Sequence, residues 1–195
     1  MDELMAARSL TTRPVVTLRG DAVAHVKDTV CDAAAGRITG FTLTGRGLLS
    51  GPLKEGLPWS GVYALGHDAV MIRDGRGLVS AAAMTAHQQN LRARVLGARV
   101  LTEAGAEVGT VLDVVVEGGT GGRIMGFRVA ASRRFVPGAS RHRRRVYVPR
   151  GETLTVNGRD LVLPEDAVRH VADDLPGLTA LVGGGVPGHR TGPLP

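Results

Sequence analysis

Six arginines stand close together between Ser132 and Arg145: Arg133, Arg134, Arg141, Arg143, Arg144 and Arg145, with no acid among them. A guanidinium is a planar fork of donors that meets phosphate or carboxylate two bonds at a time, so this cluster suits an anionic partner. Its six charges equal the net +6 of the whole 195-residue chain, and the remainder sums to zero. That excludes a uniformly basic nucleic-acid binder and leaves one local patch. Phe135 is the one aromatic in the segment. Single-strand binders use a series of stacking aromatics, so the plain alternative is a solvated arginine loop.

Other reactive groups are scattered. The histidines, His25, His67, His87, His142, His170 and His189, show no spacing of a helical metal pair. Gly47-Leu48-Leu49-Ser50-Gly51 displaces the serine of a nucleophile elbow by one position, and no phosphate-binding glycine loop is present. Cys31, the single cysteine, excludes an internal disulfide and a cysteine zinc site, and with no basic neighbour in sequence it reads as an inert thiol. The expectation is no catalytic set, no metal and no cofactor. Trp59 follows Pro58 and reads either as a docking aromatic or as packing at a sheet edge. Asp28 and Asp113 occupy matching places in a repeat. They read either as a site acid used twice or as carboxylates that accept backbone N–H groups.

The repeat organises everything else. Gly20, Val23, Val26, Asp28 and Val30 recur 85 positions later as Gly105, Val108, Val111, Asp113 and Val115. After one inserted residue, Gly36-Arg37-Ile38-Thr39-Gly40-Phe41 recurs as Gly122-Arg123-Ile124-Met125-Gly126-Phe127. Ten identities with one gap indicate a duplicated unit. Pro58-Trp59 answers Pro149-Arg150, and Asp68–Met71 answers Asp160–Leu163.

Each unit reads as short strands. Val23–Cys31 and Val108–Glu117 are β-branched runs, and Thr39–Leu43 alternates with Phe41 on the inner face, as Phe127 does in the second copy. Gly36 and Gly122 precede that strand, at a hairpin that calls for positive φ. Val15–Leu18 and Ala98–Leu101 open the units, and Tyr63–Leu65, Ala69–Ile72, Val146–Val148, Thr153–Val156 and Leu161–Leu163 close them. The Arg-rich segment is then a long hairpin loop of the second unit. Its counterpart, Gly45–Gly56, reads as a nearly neutral loop. Ser80 caps an alanine-rich linker helix.

The turn Gly, V-x-D-x-V, G-R-I-x-G-F, P-W and D-x-V pattern resembles the PRC-barrel domain. That family includes the cytoplasmic domain of the photosynthetic reaction-centre H subunit and the C-terminal domain of a ribosome-maturation factor for the small subunit. The resemblance covers roughly Thr12–Arg73 and Leu96–Val171. It implies binding rather than catalysis, that is, an adaptor or docking module and not an enzyme.

The expected architecture is all-β: two tandem small antiparallel PRC-barrel-like domains joined by a short helical linker. The expected divisions are an N-terminal segment (1–13, loose or a short helix), repeat 1 (14–78), linker helix (79–95), repeat 2 (96–172) and a flexible tail (173–195). The first expected partner is a protein. RNA or a ribosomal subunit, reached through the Arg loop, and an anionic membrane surface are the alternatives. No apolar run approaches the ~20 residues of a membrane span, and residues 1–13 lack the apolar core of a secretory signal, so the expected location is cytoplasmic.

Overall fold

The computed structural model describes residues 3–32, 35–47, 50–86, 95–132, 135, 144–152, 154–157 and 159–183. Fourteen strands form two seven-stranded sheets. The first sheet contains β2 (Pro14–Thr17), β3 (Ala22–Asp32), β4 (Arg37–Thr44), β5 (Pro52–Pro58), β6 (Val62–Leu65), β7 (Val70–Ile72) and β8 (Val79–Ser80), in the order β6-β7-β2-β3-β4-β5-β8. The second contains β9 (Arg99–Thr102), β10 (Glu107–Glu117), β11 (Ile124–Ala131), β12 (Arg145–Pro149), β13 (Thr155–Asn157) and β14 (Asp160–Leu163), in the order β12-β11-β10-β9-β14-β13. Taken from its other end, β13-β14-β9-β10-β11-β12, the second order matches β6-β7-β2-β3-β4-β5 strand for strand, and β8 has no counterpart in it. The sheets are antiparallel apart from one pair in each, β2 with β7 and β9 with β14.

The duplication reaches the irregularities. On β3 the pairing with β4 slips between Val26 and Asp28 and again between Val30 and Cys31. On β10 it slips between Val111 and Asp113 and between Val115 and Val116, the same places 85 residues on. A bulge re-aims the side chain beside it, and here the residue beside the first bulge is Asp28 or Asp113. Phe41 and Phe127 are fully buried, as their alternation predicts. Burying such a side chain contributes about 1.5–3 kcal/mol. Gly36 and Gly122 have φ of +68° and +57°, as the hairpin requires.

Three segments differ from the sequence reading. Residues 1–13 hold a strand, β1 (Leu4–Ala6), and a 3-10 turn (Ala7–Leu10). β1 joins the second sheet, with Leu4, Met5 and Ala6 opposite Glu117, Val116 and Val115 of β10. Leu4, Met5 and Leu10 are buried, which holds the segment down. β5 lies partly within the segment read as a loop; its Gly56, Leu57 and Pro58 pair with Thr42, Phe41 and Gly40. Tertiary pairing overrides its glycine and charged residues.

The third difference is the region read as a flexible tail from 173, where helix α3 (Leu175–Gly183) is packed through a fully buried Leu178. Asp174 Oδ1 accepts the Gly177 N–H at 2.8 Å, a cap at the entry to the helix. Of the expected linker helix, α1 (Ala81–Ala86) is present and residues 87–94 lie outside the described residues. A short helix α2 (Glu165–Arg169) follows β14.

The sheets share one continuous core, which draws Val26, Ile38 and Phe41 together with Val111, Ile124 and Phe127. Their junction is reciprocal. The Ile38 N–H donates to Gly122 O, and the equivalent Ile124 N–H donates to Gly36 O, both at 2.8 Å. Trp59 lies over Gly122, while its repeat counterpart Arg150 lies over Gly36. Each unit thus offers the other the same patch, the signature of a two-fold relation inside one chain.

Candidate functional site

At this junction is a cleft of about 470 Å³. Both duplicated acids line it, Asp28 from β3 and Asp113 from β10, each placed by its bulge. Thr29, Cys31 and Val114 line it from the same two strands, and Arg8 comes from the N-terminal turn.

The two acids differ in setting. Asp113 is 3% exposed. Its Oδ1 accepts the Val114 N–H at 2.9 Å and the Arg8 N–H at 3.3 Å. Burial pushes its carboxyl above the ordinary aspartate range, and the two N–H groups and the nearby arginines oppose that only partly. Asp28 is half-buried. Asp113 therefore fulfils the backbone-accepting role read from sequence, and both acids share one cavity, which was legible only as a repeat.

Thr29 is the residue the sequence reading missed. It is 8% exposed, and its Oγ1 is buried with no hydrogen-bond partner among the described residues. The available signal was a mismatch: the repeat equates Thr29 with Val114, so a hydroxyl stands in one copy where an apolar side chain stands in the other. Cys31 is buried, consistent with a thiol shielded from reagents. Among the described residues no group of three or more His, Cys, Asp or Glu is placed to hold a metal ion.

Of the Arg-rich segment, Arg133, Arg134, Arg141 and Arg143 lie outside the described residues. β11 and β12 flank the segment as an antiparallel pair, with Ala130 opposite Arg145, so it is a hairpin excursion as expected. Arg144 and Arg145 are exposed at its return. Arg144 forms an ion pair with Asp173 at 2.5 Å, both side chains remaining in solvent. Phe135 is packed against the shared core and is not a free stacking surface. Trp59 is half-buried, with its ring 6.2 Å from that of Phe41, and supplies junction packing.

A second ion pair sits near the junction. Arg123 Nε and Nη2 donate to Glu117 at 2.7 and 3.0 Å. That bidentate bond holds the buried Glu117 carboxyl below its ordinary range, against the opposing effect of burial. No described helix is long and apolar enough to cross a membrane.

The PRC-barrel domain model matches the chain twice, over residues 2–79 and 88–169. No curated protein matches it.

Proposed function

Because the chain belongs to the PRC-barrel family, we propose that it is a non-catalytic docking protein of the cytoplasm whose Arg-rich excursion grips an acidic surface of a partner protein. The observation that supports this is the contrast between two equivalent connections. The β4–β5 connection carries a single arginine, Arg46, which donates to Ala22 O at 2.9 Å within its own unit. The β11–β12 connection carries five arginines and leads into a sixth, Arg145, at the start of β12. The duplicated scaffold does not need that charge; Arg144 meets Asp173 of the same chain, and the rest of the cluster answers, in this reading, to something outside it. Exposed arginine forks suit carboxylates, and Phe135, packed inward, offers no base-stacking platform.

The test is affinity capture with the full chain and with a variant carrying Gln at Arg133, Arg134, Arg141, Arg143, Arg144 and Arg145. The expected result is a defined protein partner that is retained after nuclease treatment, released by salt and lost with the variant. Equal capture by the variant would overturn the reading. Nuclease-sensitive, salt-dependent migration with the small ribosomal subunit would replace it with RNA binding, for which each phosphate contact adds a salt slope of up to about −0.9. Flotation of the purified protein with anionic vesicles would replace it with a membrane surface, at about 1 kcal/mol per arginine.

A further inference from the structure

The N-terminal arm, Leu4 to Leu10, precedes the first unit in sequence but lies on the second. β1 pairs with β10, and Leu4 packs with Val115, Ala172 and Leu178 of that unit. The Gly118 N–H donates to Glu3 O at 2.9 Å, and the Arg8 N–H donates to Asp113 Oδ1 at 3.3 Å. Leu10 ends the arm in the shared core. From Thr12 the chain is in the first unit, where the Thr12 N–H donates to Val26 O at 2.8 Å. The crossing from one unit to the other therefore takes place at Thr11 and Thr12.

That crossing is a type II turn over Leu10–Arg13, closed by the Arg13 N–H to Leu10 O at 3.1 Å. Thr11 has φ of −60° and ψ of 136°, and Thr12 has φ of +72°. The third position of such a turn calls for positive φ and hence for glycine. Threonine is branched at Cβ and is strained there. Thr12 is the one non-glycine with positive φ among the described residues. The second unit closes the same turn over Val95–Ala98, with the Ala98 N–H on Val95 O at 3.2 Å. There Gly97 takes the third position with φ of +79°, and its N–H donates to Val111 O as that of Thr12 does to Val26 O. The fold thus requires this conformation in both units, and only the turn that carries the N-terminal arm holds it with a strained residue.

We propose that the arm exchanges between two copies of this chain, giving a two-fold dimer in which each β1 adds to β10 of the other copy. An arm that leaves its seat bares Leu4, Met5 and Leu10, all buried in the closed chain, and vacates the stretch of β10 that it covered. A second copy in the same state supplies both missing halves. Every contact of the arm is then remade with the other copy, including the bond from Arg13 Nη1 to Met5 Sδ. What changes is the turn, which opens and lets Thr12 leave the left-handed region. A short turn under strain is the usual setting for such an exchange. The dimer carries two Arg-rich excursions, which gives avidity on a repeated acidic surface, although the exchange itself does not depend on that docking.

The experiment is light scattering on the full chain, equilibrated at a series of concentrations. The expected result is a dimer whose share rises with concentration. Thr12→Gly fits the closed turn without strain, and two turns are relieved in each dimer, so this variant should raise the dimer dissociation constant at least about fivefold. A second variant reads the exchange directly. Ala6 and Val115 face each other on β1 and β10, so Ala6→Cys with Val115→Cys, in a Cys31→Ala background, brings two thiols within disulfide reach. Oxidation of the isolated dimer should join two chains covalently on a non-reducing gel, and oxidation of the isolated monomer should leave single chains. A chain that stays monomeric at every concentration, a dimer whose crosslink remains within each chain, or an unchanged dissociation constant for Thr12→Gly would each overturn the proposal. The Thr12→Gly comparison needs no cysteine, so it decides the matter even where the cysteine variant fails to fold.

Discussion

The reciprocal seats at the junction differ in one respect that can be measured. A Cβ added at Gly122 would stand 2.4 Å from the Trp59 ring, and one added at Gly36 would stand 2.7 Å from the Arg150 guanidinium. Both glycines are left-handed, with φ of +57° and +68°. Alanine there costs about 1–2 kcal/mol from backbone conformation alone. At Gly36 the obstacle is the far end of a flexible chain, which swings aside, so Gly36→Ala should cost little beyond that. At Gly122 the obstacle is a rigid indole held against Phe41, and overpacking adds about 1–3 kcal/mol. Gly122→Ala should therefore destabilise by about 2–5 kcal/mol against about 1–2 for Gly36→Ala.

The indole is the stated cause, so removing it must remove the excess. In a Trp59→Ala background, Gly122→Ala should cost only the conformational part, and the double-mutant cycle should show a coupling of about 1–3 kcal/mol. The assay is urea unfolding followed by far-ultraviolet circular dichroism, because Trp59 is the single tryptophan and its fluorescence is absent from half the cycle. Equal costs for Gly122→Ala with and without Trp59 would refute the reasoning.

Two other outcomes are expected. Asp113 has a raised native pKa, so the folded state holds its proton more tightly than the unfolded state, and stability falls as pH rises from about 3.8, the ordinary aspartate value, through the native one. Asp113→Asn keeps an oxygen for the two N–H donors and lacks that slope. Its stability should exceed the parent's at neutral pH and converge with it in acid; thermal unfolding across pH reads this, and a variant less stable at neutral pH would contradict it. Leu178→Ala should cost about 2–5 kcal/mol, the usual penalty for a buried leucine, whereas a flexible tail would give a change within about 0.5 kcal/mol of zero in urea unfolding.

The elements legible in the sequence were those whose signal is local and occurs twice. The alternation around Phe41 and Phe127 and the glycines before those strands needed no partner to be read, and the second copy corroborated each. β1 was not legible because three residues carry no period, and their partner strand lies more than a hundred positions away. α3 was obscured by Pro176 and Gly177, although Asp174 before them and Leu175, Leu178 and Leu181 at helical spacing were present to be read. At the cleft, the repeat pointed to Asp28 and Asp113 but not to their common cavity. Two residues at equivalent places in separate units meet only if the units dock about an axis passing near both, and docking geometry has no signature in a linear pattern. The arginine segment was conspicuous in sequence because charge needs no fold to be counted.

The pairing of β1 with β10 sets a schedule for synthesis. About 110 residues are added to the chain between Leu4 and its partner Glu117. At about 5–20 residues per second that is a wait of roughly 6–22 s. Throughout it Leu4 and Met5, buried in the finished protein, have no partner strand to join. Over that interval the β1 segment presents apolar side chains that suit a chaperone, and the second sheet is complete only once β10 has been made.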